Sequence, residues 1–391
     1  MRALAHRRLP RFVVDYLEGG AGRGLTLARN RAALDAIALV PRTLRDVSEV
    51  SLATRLFGLA MAAPLMIAPT GVAGLLRPGA DVMLARAAAR LGLPFVLSAA
   101  SNVPVEDVAA QGGLVWMQVY PLRDREATRR LVARATKAGC VGIVLTVDTP
   151  VAGVRHWEAR HFTPAGRPRL RTRLDALRHP AWLMATLRHG PPRFPNIGLD
   201  VTGLDERAER KAINEGKDPA FTFDDLAILR DACAGRLVVK GLAAPEDVER
   251  IAALGADGAI ISNHGGRQLD GMVSTVEALP ACLQAAGAMP LMLDGGIRDG
   301  VDVAKVLALG AKAVLVGRVP LYGLAAAGED GVAHALSLLT KELDRVLALV
   351  GCRDVTGLDR RVLSGRCGSD RDSCLRLGRP GTGGRAASAP C

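Results

Sequence analysis

Eight short apolar runs stand in series along this chain, at residues 65–68, 94–98, 115–119, 142–147, 237–240, 258–261, 290–293 and 313–316. Each is continuous rather than alternating in polarity, the pattern of a strand buried on both faces. Between them lie stretches such as 81–91, 125–138, 245–254 and 300–309, with apolar residues at three- and four-residue spacing. These end at Gly92, Gly139, Gly255 and Gly310, the residue type that most readily closes a helix. Eight β–α units in series predict an α/β fold, a parallel sheet closed into a (β/α)8 TIM barrel. A doubly wound open sheet is the competitor, and no G-x-G-x-x-G follows the first run to support it.

Three pieces fall outside the eight units. Residues 1–60 form an N-terminal extension, expected to hold one or two helices. A long insertion after strand four covers residues 155–220 and is rich in Arg, Pro and His. Residues 365–391 are Gly, Arg, Ser and Pro without periodicity and are expected to be disordered. Residues 1–364 are thus expected to be a single barrel domain.

Aromatic residues make up only 3% of the chain, so the core must be built from aliphatic side chains. The formal charge is +12, which suits nucleic acid, an anionic membrane surface or an acidic substrate. The scarcity of aromatics for base stacking argues against nucleic acid. The seven Cys form no C-x-x-C and no metal-ligand spacing with His, so no metal is expected. No apolar segment follows the Arg residues at the N-terminus, so no signal peptide is read there and a cytoplasmic location is expected.

In a parallel barrel, function gathers where strands end. The first run leads into Pro69, Thr70 and Gly71; the second ends in Ser98, the third in Gln118 and Tyr120, the fourth in Thr146 and Asp148, the fifth in Lys240. The sixth runs into His264-Gly-Gly-Arg267, the seventh into Asp294-Gly-Gly296-Ile-Arg298, the eighth into Gly317-Arg318. Two Gly-rich turns with Arg on the last two strands suit a phosphate. Gly265 and Gly266 let the chain turn so that His264, a base near neutral pH, and Arg267, a bidentate carboxylate clamp, face one cavity. Asp148 is placed to orient and stabilise a protonated imidazole. Lys240, at the end of a buried strand, needs an anionic partner; Schiff-base chemistry and an anionic cofactor are the two readings.

Together these residues resemble the FMN-dependent α-hydroxy acid dehydrogenases and oxidases. The segments SNHGGRQLDG (262–271) and DGGIRDGVDVAKVLALGA (294–311) carry the resemblance most specifically. DYLEGGA (15–21), IAPTG (67–71), PFVLSAASN (94–102) and LTVDTP (145–150) support it. The match runs from about residue 12 to 357, broken only in the insertion, and looks most like the membrane-associated mandelate and lactate dehydrogenases. It departs at residues 22–24, Gly-Arg-Gly, where relatives carry acidic residues, and at Ala100, where glycolate oxidase has a bulky aromatic.

The resemblance implies FMN as cofactor and His264 as active-site base paired with Asp148. Arg267 and Arg155 would hold the substrate carboxylate, and Tyr16 and Tyr120 would hydrogen-bond the substrate. Lys240 would sit by flavin N1 and O2. Pro69, Thr70, Gly71, Ser98, Gln118 and Thr146 would line the isoalloxazine. Asp294, Gly296, Arg298, Gly317 and Arg318 would hold the ribityl phosphate. The implied reaction oxidises an L-2-hydroxy acid to the 2-oxo acid and passes electrons to a quinone or another acceptor. The implied assembly is a homo-oligomer, by resemblance a tetramer.

Ala99 and Ala100 leave room for a large substituent, so mandelate or a similar acid is expected ahead of glycolate, with lactate the runner-up. The insertion carries nine Arg against Glu158 and Asp175 between residues 155 and 193. With Trp182, Leu183 and Met184 as an apolar patch, it is expected to lie on the inner face of the plasma membrane or to cover the site. The rival functions are an oxygen-using oxidase, an FMN isomerase or phosphate-sugar enzyme of the same layout, and a non-enzymatic basic protein binding a membrane surface or nucleic acid.

Overall fold

The computed structural model describes residues 1–163, 166–190, 193–197, 215–233 and 235–364. The expected disorder of 365–391, and the part of the insertion at 198–214, lie outside the described residues. Three helices open the chain: Arg2–Arg8, Arg11–Glu18 and Leu25–Asp35. A hairpin follows, β1 (Thr54–Leu56) paired antiparallel with β2 (Leu59–Met61). Its turn places Phe57 at φ 54 and Gly58 at φ 77. Such a turn usually uses Asn-Gly or Asp-Gly, which is why Phe-Gly did not read as one.

Eight parallel strands then close a barrel: β3 (Leu65–Ile67), β4 (Phe95–Leu97), β5 (Val115–Val119), β6 (Gly142–Thr146), β7 (Leu237–Leu242), β8 (Gly258–Ile261), β9 (Leu291–Leu293) and β10 (Ala313–Val316). All eight apolar runs are strands, and β10 pairs with β3 to complete the ring. Helices Ala80–Arg90, Arg125–Lys137, Pro245–Ala253 and Gly300–Leu309 fall where the periodicity predicts them. Thr275–Ala285 also forms a helix, its start marked by a reciprocal capping box of Ser274 and Glu277.

Side chains alternate along each strand. Leu65, Ile67, Phe95, Leu97, Ile143 and Leu145 belong to the layer shared with the helices. Met66, Val96, Trp116, Val144, Val238, Ile260 and Met292 form a separate cluster inside the barrel, with Leu56 and Met61 of the hairpin packed on it. Two residues beyond the inner set stand Ser98, Gln118, Thr146, Lys240, Ser262 and Asp294. The period of two therefore delivers a ring of polar side chains at the C-terminal rim. All six are buried.

The insertion folds back on the barrel. It contains helices Glu158–His161, Leu170–Leu177 and Pro180–His189. Trp182 corrects the expected apolar surface patch: its indole Nε1 donates to Leu75 O at 2.8 Å, and its ring meets Phe12 edge-on at 5.5 Å. It anchors the insertion instead of facing solvent. Among its described residues, the large apolar side chains that are exposed are Leu170, Leu174, Leu177, Met184 and Leu187. His161 is likewise held, 2.8 Å from Asp15 Oδ2.

Candidate active site

A cleft of about 220 Å³ opens at the rim. Of the residues singled out from the sequence, it is lined by Tyr16, Pro69, Thr70, Gly71, Tyr120, Arg155, Lys240, His264 and Arg267. Asp294, Gly296, Arg298, Gly317 and Arg318 complete that set. Ser98, Gln118, Thr146 and Asp148 stand behind this lining.

His264 sits at φ 56, a left-handed conformation uncommon outside glycine. Its amide N donates to Ser262 Oγ at 3.0 Å, and the same oxygen accepts from Lys240 Nζ at 2.8 Å. His264 Nδ1 lies 3.0 Å from Asp148 Oδ1. Burial lowers the imidazole pKa and Asp148 only partly restores it, so the net shift is downward. Burial would raise the Asp148 carboxyl, but His264 and Lys240 outweigh it and hold the carboxylate ionised.

Lys240 has its anionic partner inside the protein. Its Nζ is 3.0 Å from Asp294 Oδ2. Burial opposes the ammonium, yet Asp294 and Asp148 together raise its pKa. A lysine held charged in this way is no Schiff-base nucleophile. Asp294 accordingly faces the lysine with one oxygen while it lines the cleft beside Gly296 and Arg298. Its second oxygen is buried without a partner.

Arg267 NH1 donates to Tyr16 O at 2.8 Å and Gly19 O at 2.7 Å, and its guanidinium lies 5.0 Å from the Tyr16 ring centroid. The Tyr16 hydroxyl donates to Gly71 O at 2.5 Å. The Gly-Arg-Gly turn that precedes helix Leu25–Asp35 is tied to the His264 loop: Ala21 N donates to Gly266 O at 2.8 Å, and Arg23 N to Asp270 Oδ2 at 2.8 Å. Arg155 closes the other side, with NH1 3.8 Å from Glu158 Oε1 and a buried Nε that has no partner.

The opposite end of the cleft is crowded with cations. Arg318 opens the helical stretch Arg318–Val350, which is broken by non-helical backbone at Ala327 and Gly328, and donates to Leu17 O, Gly265 O and Gly19 O. Burial, then Arg267 and Arg298, push its pKa down to about 9. Burial and Arg31 also lower that of Arg298. Mutually repelling, partly desolvated guanidinium groups at a helix N-terminus suit a dianionic phosphate.

At and behind the middle of the cleft there are open valences. Gln118 Oε1 accepts from Ala99 N at 3.0 Å and Ser98 Oγ at 3.3 Å, which leaves its Nε2 a buried donor without a partner. Thr70 Oγ1 and Thr146 Oγ1 are also buried and unpartnered. Such groups are costly unless a ligand completes them, and they suit the carbonyl- and nitrogen-bearing edge of an isoalloxazine. The residues present therefore fit FMN.

The model of the FMN-dependent dehydrogenase family matches residues 5–365. This chain belongs to that family. It is 43% identical over 372 residues to an L-lactate dehydrogenase of Caulobacter vibrioides, covering 93% of this chain and 96% of the relative. It is 42% identical over 360 residues to the (S)-mandelate dehydrogenase of Pseudomonas putida, covering 91% of each. A crystal structure of the monotopic membrane protein (S)-mandelate dehydrogenase superposes with TM-score 0.89 at 41% identity, covering 93% of this chain and 97% of that one. As a member of the family, the protein is an FMN-dependent oxidoreductase.

Phe194 and Lys217 also line the cleft, and neither was legible in the sequence. Both come from the insertion, where no strand parity places them. Ser262, placed at the rim by parity with Ile260, also belongs to the site, since its hydroxyl accepts from Lys240 and from the His264 amide.

Proposed function

We propose that the protein is a dehydrogenase that oxidises a small L-2-hydroxy acid to the 2-oxo acid. The observation that carries this is the His264–Asp148 pair opening on the same cleft as Arg267 and Arg155. The two arginines bind and orient the carboxylate, and Tyr16 and Tyr120 donate hydrogen bonds beside it. Nε2 of His264, the ring nitrogen not engaged by Asp148, takes a proton from the substrate, and Asp148 stabilises the imidazolium that results. FMN, when bound, supplies the two-electron acceptor. Gln118, Thr146, Ser98 and Thr70 would hold its ring system, and Arg298, Arg318, Gly296 and Gly317 its phosphate. Lys240 keeps a fixed positive charge at the rim and would stabilise a reduced, anionic form of the ring. Anaerobic mixing of the yellow protein with L-lactate and (S)-mandelate tests the reading: the absorbance near 450 nm should bleach (roughly, as flavin chemistry). A flavin unmoved by both, and by a wider panel of 2-hydroxy acids, would overturn it.

The acceptor we propose is a quinone, because the insertion presents a membrane-facing surface. Leu170, Leu174, Leu177, Met184 and Leu187 are exposed on helices Leu170–Leu177 and Pro180–His189, among Arg169, Arg171, Arg173, Arg178 and Arg188. Apolar residues flanked by arginine suit the interface of an anionic bilayer. Among the described residues no helix is long and apolar enough to cross a membrane. Oxygen uptake measured beside quinone reduction separates this reading from an oxidase.

A further inference from the structure

The cations facing the cleft can be matched against the anions available to them. Lys240 is paired with Asp294, and Arg298 and Arg318 face the expected phosphate. Arg267 and Arg155 serve one substrate carboxylate. Lys217 is left over. It lines the same cleft, is 8% exposed, and lies with Nζ 4.4 Å from the centroid of the Tyr120 ring. Among the described residues its ammonium has no ion pair and no hydrogen bond beyond that ring.

Its position is built rather than incidental. Residues 216–218 run beside the chain that leaves β5: Lys217 bridges antiparallel to Leu122. Arg123 N donates to Gly216 O at 2.8 Å, and Asp218 N donates to Pro121 O at 3.0 Å. These bonds pin the lysine backbone beside Tyr120, a residue that the proposed chemistry places at the substrate. Burial first, and then Arg155, bring its pKa down to about 8, with Asp148 acting in the opposite sense. A largely buried lysine whose ammonium rests on an aromatic face at the cleft is a costly arrangement, and a second anion on the ligand would relieve it.

We propose that Lys217 binds a second carboxylate on the substrate, so that the preferred substrates are 2-hydroxy dicarboxylic acids. This rests on the 2-hydroxy acid reading above. One carboxylate is held by Arg267 and Arg155 beside His264; the other, at the end of the substrate side chain, is held by Lys217 over Tyr120. It departs from the expectation of an aryl acid, which rests on the small side chains of Ala99 and Ala100 and on the likeness to mandelate dehydrogenases.

The test compares L-malate and L-2-hydroxyglutarate with L-lactate and (S)-mandelate, using holoenzyme and Lys217→Met. The expected result is a kcat/KM at least 10-fold higher for one of the dicarboxylates than for either monocarboxylate. That ratio should fall at least 10-fold in Lys217→Met, mostly through KM. Calorimetry with 2-oxoglutarate and pyruvate reads the same contact without turnover, and the tighter binding of the dicarboxylate should be lost in the variant. Equal binding of the two, or a ratio that Lys217→Met does not move, overturns the role of Lys217. A flavin that no 2-hydroxy acid bleaches overturns the activity instead, and the calorimetry still decides the lysine.

Discussion

His264 Nδ1 and Asp148 Oδ1 lie 3.0 Å apart, although 116 residues separate them along the chain. The bond joins the ends of β6 and β8 across the rim and leaves the second imidazole nitrogen for the substrate. Replacing His264 by Asn should leave FMN bound and lower turnover by about 10²–10⁴-fold or more, the usual worth of a positioned base. Replacing Asp148 by Asn should act through the same step. Stopped-flow bleaching of the flavin separates this from a loss of cofactor, and undiminished bleaching in His264→Asn would remove the histidine from its role.

The pH profile should carry the sign of a buried base. His264 must be neutral to accept a proton, and burial holds its pKa below the ordinary 6.5. The kcat/KM should therefore be full at neutral pH and fall as pH drops through a value below that of free imidazole. An acid limb well above neutral pH would mean that the ionised histidine is the stabilised form.

Arg267→Lys keeps a charge but loses the planar fork. Catalytic efficiency should fall by about 1.5–3 kcal/mol in transition-state terms, since hydrogen bonds to charged groups are worth about that much. The donors to Tyr16 O and Gly19 O are disturbed too, so thermal unfolding should be followed alongside. A variant altered only in its salt sensitivity would place Arg267 outside the clamp.

Arg298→Met should weaken FMN binding by about 1.5–3 kcal/mol, the worth of one charge-assisted contact to phosphate. In the flavin-free protein the same change should cost little, because burial and Arg31 already disfavour the charge. Fluorescence titration with FMN and with riboflavin reads the contrast: affinity for riboflavin should barely move. An equal loss for both ligands would place Arg298 away from the phosphate.

Leu174→Glu combined with Leu187→Glu should release the protein from phosphatidylglycerol-containing vesicles without changing flavin content. Both side chains are exposed, so stability should hold. Co-sedimentation at low and high salt is the measurement, and unchanged vesicle binding would move the membrane surface elsewhere.

Inside the barrel, a methyl group on Gly142 would stand 2.2 Å from the ring of Trp116, which is fully buried and packed on Phe57 at 5.5 Å. Gly142→Ala should destabilise by about 1–3 kcal/mol through overpacking. A denaturant midpoint equal to that of the parent would show that the ring can shift.

The eight strands were legible in the sequence because burial on both faces leaves continuous apolar runs, and the helix ends because glycine takes a backbone conformation that other residues avoid. The site was largely legible for a related reason. In a closed parallel barrel the strand ends converge, so Gln118, Thr146, Lys240 and His264 need no knowledge of distant packing to be placed at one rim. The family and its FMN followed from the same residues, and the comparisons with known proteins agree on both.

What only the tertiary structure decided lies where side chains choose between partners that local sequence does not name. Lys240 found its anion in Asp294 because β7 and β9 place both on the inner face. Trp182, apolar and next to basic residues, read as a surface anchor, but a groove between Phe12 and Leu75 offers its indole both a ring and a carbonyl. Lys217 lies in a segment without periodicity, and only its antiparallel bridge to Leu122 brings it beside Tyr120. Periodicity and strand ends are local properties that a sequence carries directly. The pairing of charges across a cleft depends on which loops return to it, and that is settled by packing.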